Sequence, residues 1–268
     1  MKPVSAHHAV ERWRGEYAEP VEDDIAEEVP VALEYNGASH AVMLATPADL
    51  EDFALGFSLT EGILKEASQL RRIEIIDAAE GIRISMEIDE AAFSSYVFSS
   101  RNMTGRTGCG LCGVETLDRA IRRPPPVSDN FRMDSKSLHH ALEIMPGHQL
   151  LQMRTGATHA AAWVSREGGV ICVKEDVGRH NALDKLIGSL ASGKTDFSEG
   201  ALLVTSRASY EMVQKAATVG IEFIAAVSAP TNLARDLAFD TGMTLIGFAR
   251  RGGHTVYSNP HRLDQHGH

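Results

Sequence analysis

Two cysteines three positions apart, Cys109 and Cys112, sit in the stretch Gly105-Arg106-Thr107-Gly108-Cys109-Gly110-Leu111-Cys112-Gly113. Glycine bends the backbone freely and weakens both helices and strands, so this composition describes a bendable loop that presents two thiols. Paired thiols can bind zinc, cycle between dithiol and disulfide, or carry sulfur as a persulfide. A structural zinc site takes four ligands. The only other cysteine here is Cys172, and no histidine pair of ligand spacing accompanies Cys109. A thioredoxin-like site sets its CxxC at a strand-to-helix junction, whereas the segment before Arg101 reads as helical or irregular. Nucleophilic sulfur needs thiolate character, access and a favourable local charge. Arg106 supplies positive potential, and a helix beginning at Val114 offers its N-terminus to Cys112.

A second set of chemistry-bearing residues recurs wherever a strand ends in the second half of the chain. These are Asp176, Arg179 and His180 after a strand over the 170s, Ser206 and Arg207 after 201–205, Ser228 after 223–227, and Arg250 with Arg251 after 244–248. In open α/β sheets ligands bind beyond the carboxyl ends of strands, where the following helices aim their N-termini. Arginine forks and helix N-termini suit phosphates, and a carboxylate such as Asp176 suits a base or ribose donor. The set implies a pocket for a phosphorylated, nucleotide-like ligand. No Walker loop is present, so simple ATP hydrolysis is not implied. His159 could line the same pocket, but Ala161 stands where a zinc nucleobase deaminase needs glutamate, and the matching Pro-Cys-x-x-Cys is missing.

The elements that position these residues fall into three regions. Residues 1–28 are polar, end in an acidic run and read as a solvated arm. Residues 29–126 read as a small α+β domain. It holds a hairpin of 29–35 and 40–44 around Asn36-Gly37, a helix capped by Thr46 and opened by Pro47, and a second strand pair at 72–76 and 82–86. The cysteine loop, a helix Val114–Ile121 and Pro124-Pro125-Pro126 close this region. Residues 127–268 alternate strands and helices, the pattern of a mainly parallel sheet covered by helices, with Cys172 packed inside a strand. The 268 residues suit about two domains.

Net charge is 26 − 36 = −10, which argues against general nucleic-acid or anionic-membrane binding. Three cysteines do not make a secreted disulfide framework, and neither a signal-like N-terminus nor a spanning apolar run is visible. A cytoplasmic location is expected.

Thr107–Gly113, Glu175–Lys185 and Ser206–Ser209, supported by Thr155–Ala162 and Ser228–Asn232, together resemble the FdhD/NarQ family from Val29 to Tyr257. The resemblance implies a sulfur carrier that takes sulfane sulfur from a cysteine desulfurase as a persulfide. It would pass that sulfur to the molybdenum (or tungsten) bis(molybdopterin guanine dinucleotide) cofactor required by formate dehydrogenase. It implies Cys109 as persulfide bearer with Cys112 as partner, and a cofactor-binding segment over Phe248, Ala249, Arg250, Arg251, Gly252 and Gly253, with guanine nucleotide as a partial mimic of the cofactor. It also implies a cytidine-deaminase-like three-layer α/β/α domain after the α+β domain, and a homodimer. Two other readings remain open: a CxxC dithiol oxidoreductase, and a cofactor-binding chaperone without catalysis.

Overall fold

The computed structural model describes residues 2–100 and 123–264. The paired cysteines Cys109 and Cys112, and the expected helix Val114–Ile121, lie outside the described residues.

The N-terminal residues form a hairpin where a loose arm was expected. β1 (Ser5–Arg14) and β2 (Tyr17–Ala26) pair antiparallel from Ser5↔Ala26 to Arg14↔Tyr17. Gly15, at φ 65°, begins the two-residue turn, as a left-handed first turn position requires. No residue of either strand is buried, so the alternation that normally reveals a strand is missing. Cross-strand ion pairs, among them His7–Asp24 at 2.9 Å, replace it. Arg154 reaches Ser5 Oγ and Asp24 from the body of the protein.

β3 (Val29–Tyr35) and β4 (Ala38–Ala45) form the expected hairpin, with Asn36 and Gly37 both at positive φ. β5 (Leu70–Ala78) and β6 (Gly81–Ile88) add the second pair, and β3 lies parallel to β6, giving the order β4-β3-β6-β5. The helix α1 (Leu50–Thr60) packs under this sheet, and α2 (Glu90–Ser100) follows it. Thr46 does not cap α1. Asp49 occupies that position, in the left-handed region and without a side-chain cap, while Thr46 is fully buried and bonded to the second half of the chain.

After the short strand β7 (Met133–Asp134) come α3 (Ser135–Ile144), capped by Asp134, and α4 (Leu150–Thr155). Then follow β8 (His159–Val164), β9 (Val170–Asp176), α5 (Arg179–Ser192), β10 (Ala201–Val204), α6 (Tyr210–Thr218) and β11 (Phe223–Ala226). The chain closes with α7 (Asn232–Asp240), β12 (Thr244–Arg250), β13 (Gly253–Ser258) and β14 (Leu263–Asp264), which pairs with β7. The central sheet runs β13-β12-β11-β10-β8-β9. Only β10–β11 and β11–β12 are parallel; β8 and β13 run against their neighbours, so the sheet is mixed and not mainly parallel. One face packs on α5, α6 and α7, the other on α3 through Leu138 and Ala141, which makes three layers.

The two halves share one core. A single apolar cluster runs from Val31, Leu33 and Phe53 to Leu183, Leu186 and Val213. At its centre α1 crosses α5 with backbones in contact. A Cβ on Gly56 would lie 1.7 Å from the Asp184 carbonyl oxygen, and one on Gly188 would lie 1.8 Å from that of Asp52. Both positions are helical, where alanine otherwise gains about 1 kcal/mol over glycine. Gly188→Ala reverses that sign, because the backbone facing it cannot give way as a side chain can. A loss of about 3 kcal/mol is expected in a denaturant melt.

Candidate functional site

The carboxyl ends of β10, β11 and β12 lie along one edge of the central sheet. Antiparallel pairing brings the first residue of β8, His159, to the same edge, opposite Asp176 at the end of β9. Around this edge stand the first turns of α5 and α6. α5 opens at Gly178 with no side-chain cap, and α6 opens at Ser209, also without one. Helix N-termini of this kind present backbone N–H groups that have no partner within the helix.

The charged side chains at the edge are mostly cationic. His180 Nε2 lies 2.9 Å from Glu211 Oε2, both half-buried. Against the cost of its own burial, the bond to His180 and the cations around it hold Glu211 below the usual carboxylate range. His159 is held below the ordinary imidazole value, first by burial and then by the charges of Arg179 and His180. Arg179 Nε and Ser209 Oγ are shut off from solvent and have no hydrogen-bond partner among the described residues. Buried polar atoms in native proteins are overwhelmingly paired, so two orphans beside two helix N-termini are bonding capacity that the described residues leave unused. Arg207 is exposed, and no carboxylate of the described residues pairs with it.

Asp176 is not part of the ligand-facing surface, contrary to the reading of it as a base or ribose contact. It is fully buried and ion-paired to the equally buried Lys185 Nζ at 2.7 Å. It also accepts from Thr46 N at 3.0 Å, Gly178 N at 2.7 Å and Asn181 Nδ2 at 3.0 Å. Its acceptor capacity is spent on holding the entry to α5 against the β4–α1 junction. Lys185 and Thr46 complete the lock: Lys185 Nζ donates to Thr46 O at 2.9 Å, and Val177 N donates to Thr46 Oγ1 at 3.1 Å. The sequence carries a signal for Lys185, a charge set between Leu183 and Leu186 on a helix. It carries none for the part Thr46 plays here, because Asp176 and Val177 lie 130 and 131 residues away.

Ser206 is buried, and its hydroxyl donates to the Arg207 carbonyl at 3.0 Å. Ser228 accepts at its backbone oxygen from Phe248 N at 3.1 Å, and its side chain is half-buried. The run from Phe248 to Gly253 divides. Phe248, at φ 50° and 46% exposed, stands at the edge, and Arg250 Nε donates to Val227 O at 3.0 Å. Ala249 is buried in the cluster beneath α3, so its side chain cannot reach a ligand at this edge. Arg251 turns to Glu143 of α3 at 3.5 Å. Arg251 and Gly252 make the turn, and Gly253 opens β13. The structure thus gathers His159, Arg179, His180, Arg207, Ser209 and Phe248 at the edge, and sets Asp176, Ala249 and Arg251 elsewhere. Cys172 is half-buried against the main core, consistent with packing. Among the described residues no group of three or more metal-ligating side chains assembles, and no helix is long and apolar enough to cross a membrane.

A mixed three-layer α/β protein with a cation-lined strand-end edge is the class that these features define. The model of the FdhD/NarQ family matches residues 26–264. Similar proteins include the sulfur carrier protein FdhD of Cupriavidus necator, 54% identical over 97% of this chain and 91% of that protein. Another of that name, from Xanthomonas euvesicatoria, is 50% identical over 98% and 94%. A crystal structure from Desulfotalea psychrophila, described as a candidate formate dehydrogenase accessory protein, superposes with TM-score 0.76 at 25% identity, covering 98% of this chain and all of that one. The chain belongs to the FdhD/NarQ family.

The lock at Asp176 gives a stability test. Asp176→Asn leaves Lys185 charged and fully buried without its counter-ion, a loss of about 3–5 kcal/mol. Replacing both partners, Asp176→Leu with Lys185→Met, costs less than either single change because no lone charge remains. Chemical denaturation of the three variants measures this.

Proposed function

We propose that this protein is a sulfur carrier in the maturation of formate dehydrogenase. In this reading it accepts sulfane sulfur from a cysteine desulfurase on Cys109 and delivers it to a molybdenum cofactor with guanine-dinucleotide tails. Membership of a family whose relatives are named sulfur carrier proteins supports the role. The strand-end edge supports the acceptor. Its single most telling feature is the pair of buried, unpartnered atoms Arg179 Nε and Ser209 Oγ between two open helix N-termini. That arrangement suits a phosphoryl oxygen, as a pyrophosphate-linked nucleotide would offer.

In the loading step the Cys109 thiolate attacks the outer sulfur of the donor persulfide. A new S–S bond forms on Cys109, the donor S–S bond breaks, and the donor cysteine leaves as thiolate, with no net oxidation. Delivery returns the Cys109 thiolate. The sulfur leaves as a neutral atom, and the acceptor metal supplies the electron pair that makes it sulfide.

We assign phosphate contacts to Arg179 and Arg207, both read from the sequence as pocket residues, and to Ser209, while Arg250 has its Nε engaged with Val227 O. Phe248 offers an exposed ring for a base to stack on.

Intact-mass analysis after incubation with a cysteine desulfurase and cysteine tests the carrier. A gain of one sulfur on the wild type and on Cys112→Ala, and none on Cys109→Ala, is expected. A 109–112 disulfide with no added sulfur would instead establish the dithiol oxidoreductase. Activation of formate dehydrogenase that survives loss of both thiols would establish the chaperone.

The electrostatics of the edge give a further test with guanosine diphosphate as probe. A bound phosphate offsets the charges of Arg179 and His180, which with burial depress His159, so the His159 pKa rises on binding. Binding therefore takes up a proton, and affinity increases as pH falls through the interval between the free and bound values. Calorimetry in buffers of different ionisation enthalpy reads the uptake, which His159→Gln abolishes.

A further inference from the structure

A cavity of about 470 Å³ opens at the seam between the two halves. It lies beyond the last turns of α5 and α6, so it sits at the sheet edge opposite the strand ends. Its floor is apolar: Leu59 and Leu64, both buried, with Phe197 and Val219. Lys65 stands on the rim from the first half of the chain and Lys194 from the second.

Both lysines rise from fixed backbone. Gln69 Oε1 accepts from Lys65 N at 2.6 Å and Glu66 N at 3.2 Å. Ile63 N and Leu64 N both donate to Ser58 O, at 2.9 and 3.0 Å. Lys194 follows α5 at φ 56°, a position where glycine fits without strain. There its N–H donates to Ala191 O, and that of Thr195 to Leu190 O.

Among the described residues neither lysine lies within ion-pair distance of a carboxylate. Glu66 is the one acid lining the cavity. The neighbouring Asp196 turns its carboxylate to Ser198, accepting from its N at 2.8 Å and its Oγ at 2.7 Å. The rim thus carries two cations against one anion, on a chain whose overall balance is 26 basic to 36 acidic side chains.

We propose that this cavity docks a peptide segment of a partner protein in which a large apolar side chain is flanked by carboxylates. The apolar floor takes the side chain, and Lys65 and Lys194 take the acids. The volume falls within the range of about 300–1,000 Å³ typical of ligand pockets. Charge complementarity chooses an acidic segment over a basic or neutral one. Because the cavity and the strand-end edge lie at opposite ends of α5 and α6, a partner held here leaves the other edge free. The proposal does not depend on what binds there.

The test uses the full-length protein and a fluorescein-labelled hexapeptide of alternating aspartate and leucine with one central phenylalanine. The control peptide has lysine in place of each aspartate. Fluorescence polarisation is expected to show the acidic peptide binding at least about tenfold more tightly, a preference that high salt erodes. The double variant Lys65→Glu, Lys194→Glu is expected to weaken it by a similar factor of about ten. Both lysines are exposed, so an unchanged melting temperature is expected alongside. Ala191→Phe, which fills the cavity from the last turn of α5, is expected to remove binding while guanosine diphosphate affinity stays the same. Equal affinity for the two peptides, full binding by the double lysine variant, or saturable binding of decanoate without binding of the peptide would each overturn the proposal.

Discussion

The contact on which the rest of the molecule depends is the crossing of α1 over α5. Two glycines, Gly56 and Gly188, let the helix backbones touch, and each occupies space that a single methyl group would deny. An apolar contact alone would hold two helices together but would let them slide. Buried ion pairs contribute little net stability; what they supply here is register. At one end of α1, Thr46 is locked to Asp176 and Lys185. At the other, Thr60 and Glu61 meet Asp184 and Lys215, with Thr60 Oγ1 donating to Asp184 Oδ1 at 2.7 Å and Lys215 Nζ 2.9 Å from Asp184 Oδ2. Displacing α1 along its axis would strand charges at both ends together.

That register reaches the strand-end edge directly. The carboxylate that binds Thr46 also binds the N–H of Gly178, the residue at which α5 opens. The first turn of α5, with Arg179 and His180, is therefore positioned by the N-terminal half of the chain as much as by its own strand. Using Asp176 internally has a second effect. Of the acids near the edge, Asp176 is ion-paired with Lys185, and Glu211 Oε2 lies 2.9 Å from His180 Nε2. Among the described residues no carboxylate pairs with Arg179 or Arg207, so a cationic edge persists on an acidic chain.

Much of the architecture was legible from residue order. The Asn36-Gly37 hairpin, the second strand pair over 72–76 and 82–86 and the succession of strands and helices after 159 follow from turn chemistry and periodicity, and all stand in the structure. What escaped did so for physical reasons. The β1–β2 hairpin buries no residue of either strand, so no hydrophobic alternation marks it. The direction of β8 and β13 is invisible to local pattern, because a strand reads alike whether its neighbour runs with or against it. The strand-end rule pointed to one edge of the sheet but could not separate a carboxylate facing outward from one facing in, and Asp176 faces in. Ser209 and Arg179 emerge as a pair only because α5 and α6 begin side by side, a relation between residues 30 positions apart in sequence.

The contrast between a net charge of −10 and a cationic edge bears on how the proposed anionic ligand would arrive. Screening confines charge interactions to about 8 Å at physiological ionic strength. Beyond that distance the acidic surface neither steers nor strongly repels a nucleotide; within it, only the edge is attractive. Such a surface gains nothing from long-range capture, which accelerates binding where a whole face carries the opposite sign. It favours a ligand delivered at short range, from one protein surface to another, over one gathered from dilute solution. A carrier that hands its cargo between partners needs that property more than it needs fast capture. The buried pairing of its acids at Lys185 and His180 is what makes the property compatible with an acidic chain.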